Sequence, residues 1–153
     1  MIEKTKLIMS ELGIEGEIIN HPNLNGTHSK VIAEALELPL ENIIKCLILK
    51  SKKGNVLSAI ILGTQQVDLK KLEKITQVKK FTLASEKLVK ESTGYPIGGV
   101  PPIAVINKMS VIVDKEVIKK HFVLGSAGTP YHGLKIDPKI LTKFNLTFAD
   151  IHK

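Results

Sequence analysis

The chain contains no arginine and no tryptophan, and its single cysteine is Cys46. A lone cysteine excludes an internal disulfide, and because no Cys or His residues cluster at ligand spacing, neither a metal site nor a cofactor is expected. Aromatic residues make up only 4% of the chain, which argues against a stacking platform for single-stranded bases. Every apolar run is far shorter than the roughly 20 residues of a membrane span, so no membrane partner is expected.

The N-terminal residues also lack the marks of a secretory signal. Residues 1–6 carry charges and lead into an amphipathic pattern, without an apolar core and cleavage site, so we expect a cytoplasmic protein. A length of 153 residues fits one domain, 1–153, and no repeat or linker interrupts it. The sequence makes no prediction about the oligomeric state.

The charge balance is strongly basic. Twenty-two basic residues, all of them lysines, face fifteen acidic ones, for a net charge of +7. Such a surplus favours weak, salt-sensitive contact with phosphate backbones, but it also serves simply to keep a domain in solution. Charge alone therefore leaves both interpretations open.

The apolar patterns predict more strands than helices. Residues 43–49 and 56–62 form the clearest hairpin, and further strands are expected at 17–19, 81–83, 103–106, 111–113, 122–124 and 134–136. Helices are expected at 2–12, at 31–36, from the caps Asp68 and Ser85, and at 138–144 after Asp137. The elements neither alternate nor segregate cleanly, so we expect an α+β fold with a mixed, partly closed sheet and helices packed outside.

Lys45 is the most informative residue, because six apolar residues surround it in the run 43–49. Alternation along a strand places Lys45 on the same face as Leu47 and Leu49, which should face the core. Removing an ammonium from water is costly unless an anion or other acceptors meet it. We therefore expect Lys45 to point into a pocket, although a lysine can also lay its stem along apolar surface and keep its head in water.

The loop 94–102 contains three glycines and three prolines, more than a tight turn requires. Backbone N–H groups held in such a loop can form an oxyanion hole, and a simple connection between helix and strand is the alternative. A second small-residue loop, 125–128, is a weak candidate for admitting a ligand. Cys46 should point to the core, and no Ser-His-Asp or Cys-His arrangement is evident, so the site is expected to lack a protein nucleophile.

Taken in order, these segments resemble the YbaK family, the prolyl-tRNA-editing type of aminoacyl-tRNA deacylase. The resemblance covers most of the chain, through His21-Pro22, Thr27, 43–49, 68–72, 93–102, Val113-Asp114 and 125–138. It departs at Ile103, where the family usually has an aromatic residue, and at 129–132, which differs from the commoner bacterial form. The family implies a mixed, partly open β-barrel with outer helices and hydrolysis of the ester of mischarged tRNA.

The resemblance also implies roles for individual residues. Lys45 would hold the carbonyl or terminal phosphate of the substrate, and the amides of Gly98 and Gly99 would polarise the ester. The attacking water would be positioned by the ribose hydroxyl of the substrate, and His132 would line the amino-acid pocket and exclude proline. The substrate-binding set is Thr27, His28, Tyr95, Pro96, Ile97, Gly125, Ser126, Ala127, Gly128 and His132.

We therefore expect trans-editing of mischarged tRNA, with Ala-tRNA(Pro) as the first candidate and Cys-tRNA(Pro) as the second. The acceptor end of the tRNA would be the partner, with prolyl-tRNA synthetase as a further one. Two rival hypotheses remain at this point: an inactive module that binds tRNA or a synthetase through its lysines, and a small-molecule esterase or phosphate-binding domain.

Overall fold

A computed structural model describes residues 2–21 and 29–153. The predicted N-terminal helix is present and ends before Gly13, whose φ of +67° breaks it. Asp68 and Ser85 cap helices as predicted, each accepting backbone N–H groups of the first turn. The helices are α1 (Ile2–Leu12), α2 (Ser29–Leu36), α3 (Leu69–Thr76), α4 (Glu86–Thr93) and α5 (Lys115–Ile118), with 3₁₀ turns at Leu40–Asn42, Pro102–Val105 and Pro138–Lys143.

The strands form two sheets. They are β1 (Glu17–Asn20), β2 (Ile44–Ser51), β3 (Val56–Leu62), β4 (Phe81–Leu83), β5 (Ser110–Asp114), β6 (Val123–Thr129), β7 (His132–Ile136) and β8 (Thr147–Ala149). One sheet has the order β1-β7-β6 and is antiparallel. The other has the order β4-β2-β3-β5-β8 and is mixed, because β5 runs parallel to β3 and β8. The predicted hairpin 43–62 is thus confirmed as β2–β3.

The two sheets meet where Ile43, just before β2, pairs with Leu124 of β6. The largest apolar cluster contains residues of both sheets, including Ile48, Ile60 and Leu134. A second cluster buries the opposite face of the five-stranded sheet against Leu72 of α3. The fold is therefore α+β, a mixed and partly open barrel with helices outside, as expected. Within the described residues, none of the helices has the length and apolar character to cross a membrane.

Three predicted elements differ from the structure. The strand expected at 103–106 is instead a 3₁₀ turn, because Pro101 and Pro102 fix the backbone and Ala104 donates its N–H to the carbonyl of Pro101 at 3.0 Å. The helix expected at 138–144 is also 3₁₀. The small-residue segment 125–128 is not a loop but part of β6. Gly125 and Ser126 pair with β7, and the register shifts between Ser126 and Thr129.

Asp114 anchors the C-terminal segment to the sheet. Its carboxylate is fully buried and accepts hydrogen bonds from His152, from Gln65, and from the backbone N–H groups of Glu116 and Ile151. Burial alone would raise the pKa of Asp114, but these hydrogen bonds outweigh it, and the pKa lies below its usual value. The ionised carboxylate therefore stabilises the fold.

We expect Asp114→Asn to lower the free energy of unfolding by about 1–3 kcal/mol, because an amide NH2 would face N–H donors in a buried site. For a chain of this length each kcal/mol corresponds to roughly 2–4 °C in thermal midpoint, which calorimetry measures. Since the folded pKa is depressed, the contribution is present above the pKa of an unfolded aspartate and is lost as pH falls through the folded pKa. Asp150→Asn, at an exposed carboxylate, is the matched control. An equal midpoint shift in both variants would contradict the assignment.

Candidate active site

A cavity of about 230 Å³ lies where the two sheets meet. Its wall combines the first residues of β2, the loop after α4, β6 and the start of β7, and most of its lining is apolar. Of the residues predicted for the site, those on the described wall are Lys45, Ile97, Gly98, Gly125, Ser126 and His132. The sequence therefore identified residues from four separate segments that the fold brings to one cavity.

Lys45 occupies the second position of β2, opposite Ile61 of β3. Alternation places it in the row of Leu47 and Leu49, which pack in the second core cluster, so this part of the prediction is confirmed. Lys45 itself is half-buried at the end of that row. Among residues 2–21 and 29–153, no carboxylate lies within ion-pair distance of its ammonium. Lys45 is thus a lining residue of the cavity whose ammonium has no ion-pair partner among the described residues.

The two glycine amides of the 94–102 loop are not equivalent. The N–H of Gly99 donates to the carbonyl of Pro96 at 3.0 Å, so it is already used within the turn, and Gly99 does not line the cavity. Gly98 has a φ of +78°, a conformation that favours glycine, and it lines the cavity. No acceptor for its N–H is found in the part of the chain that the structure describes. Of the two amides, that of Gly98 is therefore the one left without an acceptor among the described residues.

Tyr95 is a core residue and not a wall residue. Its ring is fully buried, and its hydroxyl shares a 3.0 Å hydrogen bond with Thr5 of α1. Burial raises the pKa of Tyr95, which keeps the phenol neutral. Its neighbour Pro96 is exposed and also lies away from the cavity wall. Tyr95 therefore lies in the core and Pro96 at the surface, and neither lines the cavity.

Strand β6 contains glycines at the positions where other elements approach its backbone closely. A Cβ on Gly125 would lie 2.8 Å from the ring of Pro102, so glycine is required for this approach. Gly125 and Ser126 line the cavity, whereas Ala127 and Gly128 do not. Gly128 instead packs against Tyr95, with a φ of +101°.

Two histidines line the cavity: His132 is the first residue of β7, and His21 directly follows β1. His132 is paired through its Nδ1 with the hydroxyl of Thr129, which restrains the ring. His21 is buried, and its backbone N–H donates to the carbonyl of Tyr131 at 2.8 Å. His21 was not predicted as a site residue; the signal was its position directly after the strand that pairs with the His132 segment. The predicted residues Thr27 and His28 lie outside the described residues.

Cys46 also lines the cavity, but its thiol is not a nucleophile. It is hydrogen-bonded to the hydroxyl of Ser58 at 3.1 Å, and burial raises its pKa to about 11. The reactive form of cysteine is the thiolate, which this pKa makes scarce at neutral pH. The predicted assignment of Cys46 to the core agrees with its packing against the main apolar cluster.

Alkylation provides the check on Cys46. We expect iodoacetamide to label the folded protein far more slowly at pH 7.5 than it labels the unfolded chain, with the rate rising toward pH 11. Mass spectrometry measures the labelled fraction. The Cys46→Ser variant provides the blank. Rapid labelling at pH 7.5 would show that the thiolate is populated after all.

The protein is thus a partly open mixed barrel whose small, largely apolar cavity is lined by Lys45 of β2 and by Gly98 of the 94–102 loop. The pattern of the aminoacyl-tRNA editing domain matches residues 21–144. The chain is 31% identical over 121 residues to a protein of Enterococcus faecalis named as a candidate Cys-tRNA(Pro)/Cys-tRNA(Cys) deacylase, EbsC, covering 78% of this chain and 74% of that protein.

Longer proteins match as well. A proline--tRNA ligase of Kosmotoga olearia is 29% identical over 117 residues, which are 76% of this chain but only 20% of the ligase. Among solved structures, a candidate trans-editing enzyme for prolyl tRNA synthetase superposes with a TM-score of 0.88 at 23% identity, covering 99% of this chain and 96% of that one. At this level of identity, the structural similarity shows that the two proteins share a fold.

The chain therefore belongs to the aminoacyl-tRNA editing domain family, of the YbaK type. Members of this class are aminoacyl-tRNA deacylases, hydrolases that release the amino acid from mischarged tRNA, and the chain is an enzyme of this class.

Proposed function

We propose that this chain removes alanine from Ala-tRNA(Pro) in trans, with Cys-tRNA(Pro) as the alternative substrate. The observation that carries the proposal is that Lys45 and Gly98 line the same small cavity. The similarity to the E. faecalis protein supports the cysteine alternative, and the similarity to proline--tRNA ligases supports tRNA(Pro) as the carrier.

Each group has a role in the hydrolysis. A water molecule attacks the carbonyl carbon of the ester, and the N–H of Gly98 donates to the oxyanion that forms on the carbonyl oxygen. The C–O bond to the ribose then breaks, and the ribose oxygen takes up the proton released by the attacking water and leaves as a hydroxyl. Lys45 holds the substrate through its terminal phosphate or its carbonyl. No covalent enzyme intermediate is required, which agrees with the raised pKa of Cys46.

The size of the cavity suits a small amino acid. Its volume of about 230 Å³ lies below the roughly 300–1,000 Å³ of pockets that enclose drug-sized ligands. A synthetase pocket discriminates by only about 1–3 kcal/mol per methylene, so a smaller amino acid escapes it and needs a second, smaller site. His132, held by Thr129, forms part of the wall that a larger side chain would meet.

The proposal is tested by release of amino acid from a set of tRNAs under enzyme excess, with Ala-tRNA(Pro), Cys-tRNA(Pro), Ser-tRNA(Pro) and correctly charged Pro-tRNA(Pro) assayed side by side. We expect the alanyl ester to be cleaved at least ten times faster than the prolyl ester. Preferred cleavage of the cysteinyl ester would select the alternative substrate. Binding of every tRNA without release would instead identify an inactive tRNA-binding module.

The remaining expectations belong to the same proposal. Residues 1–153 would act as a single editing domain in the cytoplasm, on the acceptor end of tRNA. Prolyl-tRNA synthetase is the proposed protein partner, supported by the family resemblance of this chain to about a fifth of each matched ligase.

A further inference from the structure

Three lysines from separate parts of the chain surround Gly94, the residue directly after α4. The ammonium groups of Lys4 and Lys90 donate to the same carbonyl oxygen, that of Gly94, at 3.3 and 3.2 Å. Lys108 donates to the adjacent carbonyl of Thr93 at 2.8 Å. We call Lys4, Lys90 and Lys108 the three-lysine cluster. All three residues are exposed, and the fold holds their charges close together.

The charge of the cluster is uncompensated. Among the described residues, no carboxylate forms an ion pair with any of the three lysines. Partial desolvation lowers the pKa of Lys4, and the charges of Lys108 and Lys90 lower it further. The Lys4 nitrogen also lies 4.4 Å from the centroid of the Tyr95 ring. The three positive charges repel each other, so a bound anion would stabilise the arrangement.

The contacts that cap the helix leave hydrogen-bond donors of the three-lysine cluster available. Carbonyls at a helix C-terminus attract cations, and this explains why the lysines gather at Gly94. An ammonium group carries three donors, however, and one contact to a carbonyl leaves two of them on each lysine. Contacts with the carbonyls of Gly94 and Thr93 thus bring the three ammonium groups near one another. Three neighbouring cations can bind several phosphate groups of one nucleic-acid strand.

The cluster lies close to the cavity along the chain. Gly94 is four residues before Gly98 on the cavity wall, and four residues span at most about 14 Å. A strand whose esterified 3′ end lies in the cavity therefore needs only a few nucleotides to reach the cluster.

We propose that the three-lysine cluster binds backbone phosphates of the substrate tRNA a few nucleotides from its esterified 3′ end, and so holds the strand while the ester lies in the cavity. The inference rests on the proposed function for the identity of the strand. The cluster adds a contact surface outside the cavity that recognises phosphate groups and not the base sequence.

The test compares two triple variants of equal charge change. In the first, Lys4, Lys90 and Lys108 are replaced by glutamine, which retains a donor for the capping contacts. In the second, Lys52, Lys53 and Lys79 are replaced in the same way; all three are exposed and lie near the Ser51–Phe81 pairing, at the end of β2 remote from Lys45. Binding of uncharged tRNA(Pro) is measured between 50 and 200 mM salt.

We expect the cluster variant to bind tRNA at least ten-fold more weakly at low salt, and the slope of log K against log salt to fall by about 2–3, one for each lost phosphate contact. The control variant should change both quantities much less. Unchanged affinity and slope in the cluster variant, or equal losses in both variants, would overturn the proposal. Thermal unfolding verifies that both variants are folded.

A second readout separates this proposal from the proposed function. Alanyl-adenosine carries the ester but no neighbouring phosphates, so the cluster variant should hydrolyse it at the wild-type rate while it loses activity on the full tRNA. Equal losses on both substrates would place the lysines in a merely structural role and overturn the proposal. If the wild-type protein cleaves no mischarged tRNA, the proposed function fails, whereas the binding result still decides the role of the cluster.

Discussion

Replacement of Lys45 by alanine is expected to slow the release of alanine from Ala-tRNA(Pro) by about 10²–10³-fold, the usual loss when one electrostatic partner of a reacting group is removed. Lys45 is half-buried, and among residues 2–21 and 29–153 its ammonium makes no ion pair. Its removal therefore leaves no buried partner unsatisfied, and the thermal midpoint should stay close to that of the wild type. Single-turnover rates and calorimetry measure the two quantities.

Lys50 supplies the matched control on the same strand. It is exposed, pairs with Val56 at the far end of β2, and lies away from the cavity wall. Lys50→Ala removes the same charge and the same stem, and we expect it to retain hydrolysis within a few fold. Wild-type turnover in Lys45→Ala would remove the mechanism, and equal losses in both variants would indicate a general charge effect.

The second large effect is expected at Gly98. An alanine there must adopt a φ of +78°, which costs roughly 1–2 kcal/mol, and the loop is expected to relax by turning the amide away from the cavity. Because a displaced oxyanion donor typically costs about 10²-fold or more, we expect Gly98→Ala to lower the single-turnover rate by about that factor. The effect should appear in the rate constant more than in tRNA binding.

Gly54 allows backbone strain to be separated from catalysis. It has a φ of +97° in the β2–β3 turn, and a Cβ added there meets no atom within 4 Å. Gly54→Ala should show a similar loss of stability with normal hydrolysis. If Gly98→Ala retains wild-type activity, the loop amide is not the donor to the ester.

Local sequence signals predicted much of this molecule. The β2–β3 hairpin, the caps at Asp68 and Ser85 and the pocket position of Lys45 all follow from short-range patterns: alternation, turn residues and an N-terminal acceptor. The resemblance to the YbaK family then supplied the fold and the class of enzyme.

What the sequence missed depends on contacts between distant segments. Tyr95 is adjacent to the cavity loop in sequence, yet its hydroxyl pairs with Thr5, ninety positions away, and this contact draws the ring into the core. Gly99 was grouped with Gly98, but the turn uses its amide internally. His21 joined the site only through the pairing of β1 with β7. No local sequence pattern predicts such long-range contacts.

A structure of the protein with a non-hydrolysable analogue, in which an amide links alanine to the terminal adenosine 5′-phosphate, tests the central claim most directly. The account predicts the amide carbonyl oxygen within about 2.7–3.1 Å of the Gly98 nitrogen, the Lys45 ammonium in contact with that carbonyl or with the phosphate, and the alanyl group beside His132. An analogue bound outside this cavity, or a Lys45 side chain turned into bulk solvent, would contradict it.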